Sequence, residues 1–310
     1  MRVITAPEEF RQIANRCAVT IGKFDGVHLG HQAILRQLLD KAAQLACPAV
    51  VILIEPHPEE FFASSPEACP PRLTTLQEKI ELLAAQHIDV VFQLRFDRQL
   101  SQLSAEQYVE EILVRGLGVA ALIIGNDFRF GQGRRGDFTL LQSLGRRHGF
   151  EVLETAGCEV DRQRVSSTLI REQLALGDFE RVEKLLGRPY SISGEVIRGR
   201  QLGADLGFPT CNIRLHRQRI PLHGVFACEA RWRDQRLRAA VNIGYRPTVS
   251  DSGEALLEAH ILDFNEDLYG ETLHIVFRSM IRDEQKFPDL AALQRQIAAD
   301  VARVREFFQA

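Results

Sequence analysis

Gly22-Lys23-Phe24-Asp25-Gly26-Val27-His28-Leu29-Gly30-His31 is the stretch on which the fold turns: an apolar run, Cys17 to Ile21, ends against it, and a helical pattern, His31 to Leu45, begins as it closes. Strand, glycine-rich turn and helix in immediate succession form the repeating unit of open α/β sheets, which bind ligands at the carboxyl ends of their strands. The turn leaves His28 and His31 at a helix N-terminus. Unpaired backbone N–H groups and the positive end of the helix dipole favour phosphate oxygens there, and imidazole N–H groups add donors. Gly22, Gly26 and Gly30 let the backbone turn tightly and approach a ligand without Cβ obstruction. A histidine pair alone also admits a plainer reading, one ring capping the helix and the other packed in the core. As a zinc pair it is one residue short of i, i+4 spacing, and no third ligand is evident.

Outward from this turn the pattern repeats. Ala49 to Ile54, Val90 to Leu94, Ala120 to Ile124 and Glu151 to Leu153 read as buried strands, with amphipathic helices at Thr75 to Gln86, Ala105 to Arg115 and Asp137 to His148. The first half is therefore expected to be a Rossmann-like α/β domain, a parallel sheet with helices on both faces. From Ser191 the strands become short and are punctuated by Gly and Pro: Gly194 to Ile197, Val225 to Trp232, Ala239 to Ile243, Glu258 to Leu262 and Leu273 to Phe277. That spacing predicts a small antiparallel β-barrel, followed by a terminal amphipathic helix over Asp289 to Phe308. The boundary is expected within Leu185 to Tyr190, around Gly187 and Pro189, giving domains 1–186 and 187–310.

Composition agrees with two soluble domains. The chain has 310 residues, enough for two cores at roughly 150 residues per domain. Apolar residues at 45% and charged residues at 25% exclude a disordered, collagen-like or coiled-coil chain. With 38 Lys and Arg against 41 Asp and Glu, the net charge of −3 gives no global field for nucleic acid or an anionic membrane, so neither is expected as a partner and a phosphate site must be local. No apolar stretch approaches the roughly 18 residues of a membrane span, and the opening MRVITAPEEF is acidic where a signal peptide is hydrophobic; a cytoplasmic location is expected. Cys17, Cys47, Cys69, Cys158, Cys211 and Cys228 form no CxxC pair and read as reduced, mostly buried thiols.

The ten-residue turn resembles the GxFDGxHxGH element of the nucleotidylyltransferase superfamily, whose members attack the α-phosphate of a nucleoside triphosphate and release pyrophosphate. Glu55-Pro56-His57-Pro58, Gly125-Asn126-Asp127-Phe128-Arg129-Phe130-Gly131 and Ser166-Ser167-Thr168-Leu169-Ile170-Arg171 follow in the order of one branch, the bacterial bifunctional riboflavin kinases and FMN adenylyltransferases, or FAD synthetases. The resemblance implies that His28 and His31 hold ATP phosphates and act in catalysis, with Gly22, Phe24, Asp25 and Gly26 beside them. It gives Ser167, Thr168 and Arg171 the triphosphate from the far side of the crevice, and His57, Asn126, Asp127, Phe128 and Arg129 the FMN phosphate and nucleotide. A guanidinium and two hydroxyls at a helix start are good phosphate ligands. Asp25 could equally fix the loop that carries it.

The second half has neither a GxxxxGK[ST] loop nor protein-kinase signatures. Instead Gly199-Arg200-Gln201-Leu202-Gly203-Ala204-Asp205-Leu206-Gly207-Phe208-Pro209-Thr210-Cys211-Asn212 joins a glycine segment to a stiff Phe-Pro step and two oxygen-bearing side chains on one side of an extended chain. Read alone, this is a glycine turn and an edge strand. The stretch resembles the riboflavin kinase GxxLGFPTxN signature, supported by Asn242 to Thr248, Glu258-Ala259-His260, Asp267 to Gly270 and Ile281 to Phe287. The resemblance implies that Thr210 and Asn212 contact Mg²⁺ and phosphate, that Glu258 is the general base for the ribityl 5′-hydroxyl, and that Gly199, Gly203, Gly207, Phe208, Pro209, Asn242, Arg246 and Arg282 complete the ATP and flavin site. Ala204, where relatives often carry Arg, and Cys211, where Ala is usual, depart from the pattern.

Gly131-Gln132-Gly133-Arg134-Arg135-Gly136 satisfies GxGxxG, with Glu154 about 20 residues on, but it stands late in the sheet and away from its preceding strand, which argues against a dinucleotide site. The expected function is phosphorylation of riboflavin by the second domain and adenylylation of FMN by the first. Riboflavin, FMN, FAD, ATP, ADP and pyrophosphate are then the ligands, with Mg²⁺ as cofactor. One inactive domain, or flavin binding without turnover, are the alternatives; the oligomeric state is not legible.

Overall fold

The β-rich runs of the first half are strands of one sheet. In chain order the elements are β1 (Arg2–Ile4), α1 (Pro7–Arg11), β2 (Cys17–Gly22), α2 (Leu29–Gln44), β3 (Ala49–Glu55), α3 (Pro58–Phe62), α4 (Leu76–Ala85), β4 (Val90–Arg95), α5 (Arg98–Gln102), α6 (Ala105–Tyr108), β5 (Val119–Gly125), α7 (Phe138–His148), β6 (Glu151–Thr155) and a short hairpin, β7 (Glu159–Val160) and β8 (Gln163–Arg164). The structure is a computed structural model and describes residues 1–65, 68–125, 127–198, 206–217, 219–245 and 255–309, the Tyr245 side chain excepted. The six strands run in the order β1-β4-β3-β2-β5-β6, every pairing parallel.

Alternation along the central strands covers both faces of the sheet. Val19, Ile21, Val50 and Ile52 point into a core completed by Leu113 and Leu141, whereas Ala18, Val51 and Leu53 point into a second core with Leu35, Leu38 and Leu83. Burial on both faces is why β3 reads as an unbroken apolar run. Each fully buried Leu or Ile contributes about 1.5–3 kcal/mol. Two elements differ from expectation. The edge strand β1 has only Ile4 buried, so its three residues carry no readable alternation. The helix expected over Ala105 to Arg115 continues past α6 as a π-helix, Val109–Gly116; its buried Val109 and Leu113 and the C-cap Leu117 recur four apart, a spacing a widened turn keeps on one face.

Packing divides the chain into two compact units, Met1–Cys69 with Leu76–Ser166, and Pro70–Thr75 with Ser167–Ala310. The second holds α8 (Ser167–Ala175), α9 (Phe179–Leu186), β9 (Ser191–Ile197), β10 (Cys211–Arg214), β11 (Gly224–Trp232), β12 (Gln235–Tyr245), β13 (Ala255–Ile261), β14 (Thr272–Arg282) and the terminal helix α10 (Leu290–Phe307). The strands close a barrel in the order β10-β13-β12-β11-β14-β9, all antiparallel. Phe179 of α9 meets Phe226 edge-on at 5.8 Å and lies parallel to Phe277 at 5.9 Å, which attaches the helices before Gly187 to the barrel. Residues 70–75 are held to this unit by Arg171 Nε donating to Pro71 O (2.6 Å), Tyr190 Oη to Leu73 O (3.0 Å) and Arg217 to Leu73 O (3.1 Å).

Candidate active sites

The β2–α2 turn is built as a rigid, buried cradle. Phe24 and Val27 adopt φ of +49° and +40°, and Gly26 +83°, in a loop where Phe24, Asp25, Val27 and His28 are all buried. Left-handed conformations at two bulky residues are costly and persist only where the surroundings enforce them, most often at functional sites. A methyl group at Gly22 would approach the Phe24 ring to 3.1 Å, and one at Gly30 would stand 3.1 Å from the His28 ring and 3.5 Å from Val165 O. The chain leading into α8 therefore passes directly over Gly30.

His28 is the N-cap of α2, its Nδ1 accepting from the backbone N of His31 at 3.3 Å. With Nδ1 accepting, a neutral His28 carries its proton on Nε2, which makes that atom a donor. The two imidazoles stack at 3.7 Å with planes 16° apart, and Phe24 lies 4.8 Å from His31. His31 Nδ1 is buried and without a hydrogen-bond partner among the described residues. Burial, then the nearby His28, Lys79 and Lys23, hold the His31 pKa well below its ordinary value. His31 is therefore a neutral donor at physiological pH.

This depression has a stability consequence. As pH falls through the unfolded value of 6.5 the unfolded chain takes up the His31 proton first, so the contribution is full above that pH and is lost below it. Between about pH 7.5 and about pH 5.5 in denaturant unfolding, His31→Asn is expected to lose less stability than the parent chain; equal losses would contradict the buried neutral ring.

At the end of β3, His57 is buried and precedes α3, its backbone N donating to Glu60 Oε2 at 3.2 Å. Lys79 of α4 reaches His57 Nε2 at 2.8 Å and Glu55 Oε2 at 3.4 Å with no exposed surface. Lys23 pairs with Glu59 of α3 at 2.7 Å. After β5, Asp127 and Arg129 are exposed and Phe128 is half-buried. Asp127 is held by Arg164 at 2.9 Å, Phe128 stacks on Phe130 at 5.7 Å against the core, and Arg129 donates to Phe128 O at 2.9 Å. Asn126 lies outside the described residues. Ser167, Thr168 and Arg171 fall in the first two turns of α8, within the second compact unit.

The GxGxxG stretch serves a loop and begins no long helix. Phe130 and Gly136 exchange backbone hydrogen bonds of 3.2 and 2.9 Å, closing the loop on itself around a single 3-10 turn. A methyl at Gly131 would lie 2.7 Å from Ala105 N, and one at Gly136 would lie 2.5 Å from the Phe130 ring. These glycines answer to close packing.

In the barrel, register aligns three of the residues expected at the kinase site. Asn212 of β10 stands directly opposite Glu258 of β13, which stands directly opposite Asn242 of β12, opposite Val225 of β11. Directly opposed residues share a face, and Val225, Ala227 and Ala240 on that face pack with Val301 and Val304 of α10. The row of two amides and a carboxylate thus lies on the outer face of the barrel, while Ile213, Ile243 and Leu257 fill its interior. His260 Nδ1 lies 2.8 Å from Pro209 O and its ring meets Phe208 edge-on at 5.6 Å, which seats Phe208, Pro209 and the half-buried Thr210 alongside β13. The exposed Gly207, at φ +85°, precedes this step. Cys211 donates to Ala259 O, and burial pushes its thiol up to about 11. Arg282 is tied to the buried Asp300 of α10 at 2.8–3.1 Å. Gly199, Gly203, Ala204 and Arg246 lie outside the described residues.

Two family models match: FAD synthetase over residues 10–169 and riboflavin kinase over residues 186–308. The bifunctional riboflavin kinase/FMN adenylyltransferase of Pseudomonas fluorescens is 45% identical, the match covering 98% of this chain and 97% of that one. Its counterpart in Haemophilus influenzae is 43% identical over 99% of each chain, and that of Escherichia coli K12 is 44% identical over 94% of this chain and 93% of the relative. A solved chain from Streptococcus pneumoniae, described as a macrolide-efflux protein, superposes with a TM-score of 0.82 and 27% identity over 98% of both chains. No helix among the described residues is long and apolar enough to cross a membrane. With both family models matched in order and relatives aligned along nearly their whole length, the chain belongs to the bifunctional riboflavin kinase/FMN adenylyltransferase family, transferases that make FMN and FAD with ATP as co-substrate.

Proposed function

We propose that residues 187–310 phosphorylate riboflavin and residues 1–186 adenylylate FMN, with the site residues in the following roles. The observation that carries the kinase half is the Asn212–Glu258–Asn242 row, three functional side chains abreast on adjacent strands. Glu258 takes the proton of the ribityl 5′-hydroxyl as its oxygen attacks the γ-phosphorus of ATP and ADP leaves. Thr210 and Asn212 offer hard oxygen donors beside that carboxylate, a set that fits Mg²⁺. Bound there, Mg²⁺ neutralises charge on the ATP phosphates. Gly207, Phe208 and Pro209 shape the approach to the phosphates, and Arg282, fixed by Asp300, braces the rim between β14 and α10.

In the transferase half a phosphate oxygen of FMN attacks the α-phosphorus of ATP, and the bond to the β-phosphate oxygen breaks to release pyrophosphate. His28 through Nε2–H and His31 as a neutral donor hold the phosphate oxygens at the N-terminus of α2, where negative charge develops. Gly22, Phe24, Asp25 and Gly26 shape the cradle. Ser167, Thr168 and Arg171 keep the triphosphate role that their motif implies, and His57, Asp127, Phe128 and Arg129 the FMN and nucleotide role. Free thiols at all six cysteines accord with a cytoplasmic protein.

The metal assignment is tested by magnesium titration. Asn212→Ala is expected to raise the Mg²⁺ concentration for half-maximal FMN formation about tenfold, leaving the Mg²⁺ dependence of FAD formation from added FMN unchanged. A shift at both steps, or at neither, would remove Asn212 from the metal site.

A further inference from the structure

Lysine is almost never fully buried unless it is paired, and Lys79 has no exposed surface at all. Its place is written into α4, where Leu76, Lys79 and Leu83 stand at i, i+3 and i+7, so the amine falls on the helix's apolar stripe. Its Nζ lies 2.8 Å from His57 Nε2 and 3.4 Å from Glu55 Oε2. The Glu55 carboxylate supports the charged amine, and an ammonium has three donors and no acceptor. His57 Nε2 must therefore accept, which places the proton of a neutral ring on Nδ1.

We propose that Lys79 is a positioning residue for adenylyl transfer: braced by Glu55, it donates to His57 Nε2 and so fixes one tautomer and one ring orientation at the end of β3. The proposal rests on the reading of His57 as a residue of the transferase site. A buried cation behind the ring also polarises it, which strengthens the donor on the opposite nitrogen.

The test uses the full chain supplied with FMN and ATP. Lys79→Met preserves side-chain length without the donor and is expected to lower FAD formation about 10- to 100-fold, the range for groups that orient a ligand-binding histidine. In ¹⁵N-histidine spectra the parent His57 is expected to show the Nδ1–H tautomer, and Lys79→Met a shift toward Nε2–H. In a His57→Ala background Lys79→Met is expected to cost nothing further, because it acts through that ring. An unchanged His57 tautomer, or an equal loss in the His57→Ala background, would overturn the proposal. Undiminished FAD formation in His57→Ala alone would remove the site reading beneath it, and the proposal with it. Should Lys79→Met fail to fold, Glu55→Gln serves: a smaller fall in FAD formation with a loosened tautomer supports the pair, and no change in either overturns it.

Discussion

Replacing His28 with alanine is expected to lower FAD formation from added FMN about 10²–10³-fold, the cost of one donor at a site of developing charge, while FMN formation from riboflavin stays near normal. The ring has two duties. Nδ1 accepts from the His31 backbone and caps α2, and the capping fixes the proton on Nε2, where the proposed phosphate contact requires it. Loss of the cap costs about 1 kcal/mol, too little to explain the loss of rate. His28→Asn separates the duties, because a side-chain oxygen restores the cap without returning the imidazole, and it is expected to recover stability while remaining defective. If both activities of His28→Ala fell together, the assignment of one site to each half would fail.

The second large effect belongs to Glu258→Gln, for which FMN formation is expected to fall about 10²–10⁴-fold, the range of a general base. Glutamine keeps the size of the side chain and its place between Asn212 and Asn242. Binding should therefore survive better than turnover, with kcat reduced far more than the KM for riboflavin or ATP is raised. FAD formation from added FMN should be untouched. Steady-state rates with riboflavin and with FMN distinguish this from general damage, and equal losses at both steps would exclude Glu258 as the base.

The parallel sheet was legible because β2, β3 and β5 are buried on both faces and so write continuous apolar runs, and because α2 and α7 carry the 3.6-residue period cleanly. The ten-residue turn was legible for a different reason: its glycines and histidines have few purposes in combination. What was hidden follows from tertiary context. Three-residue β1 is too short to show alternation. The change of pattern near Leu185 marks where helix gives way to strand, yet α8 and α9 pack with the barrel through Phe179, a contact no local period encodes. Lys79 was missed because a lysine inside an amphipathic helix is ordinarily taken for its wet side; its i, i+3, i+7 spacing with two leucines was the available signal. In the barrel, Thr210 and Asn212 were readable as neighbours on an extended chain, but the alignment of Asn212, Glu258 and Asn242 depends on register between strands far apart in sequence. His260, whose ring nitrogen meets Pro209 O, belongs to the same class.

Two separate sites that act in turn on one flavin should complement each other when two single variants are mixed. His28→Ala given riboflavin, ATP and Mg²⁺ should accumulate FMN and stop; Glu258→Gln should leave riboflavin unchanged. Their mixture should convert riboflavin to FMN and then to FAD, followed by timed chromatography, as FMN released by one variant is adenylylated by the other. A mixture that accumulates no FAD, while Glu258→Gln still adenylylates added FMN, would contradict two sites that work in turn through a shared solution intermediate.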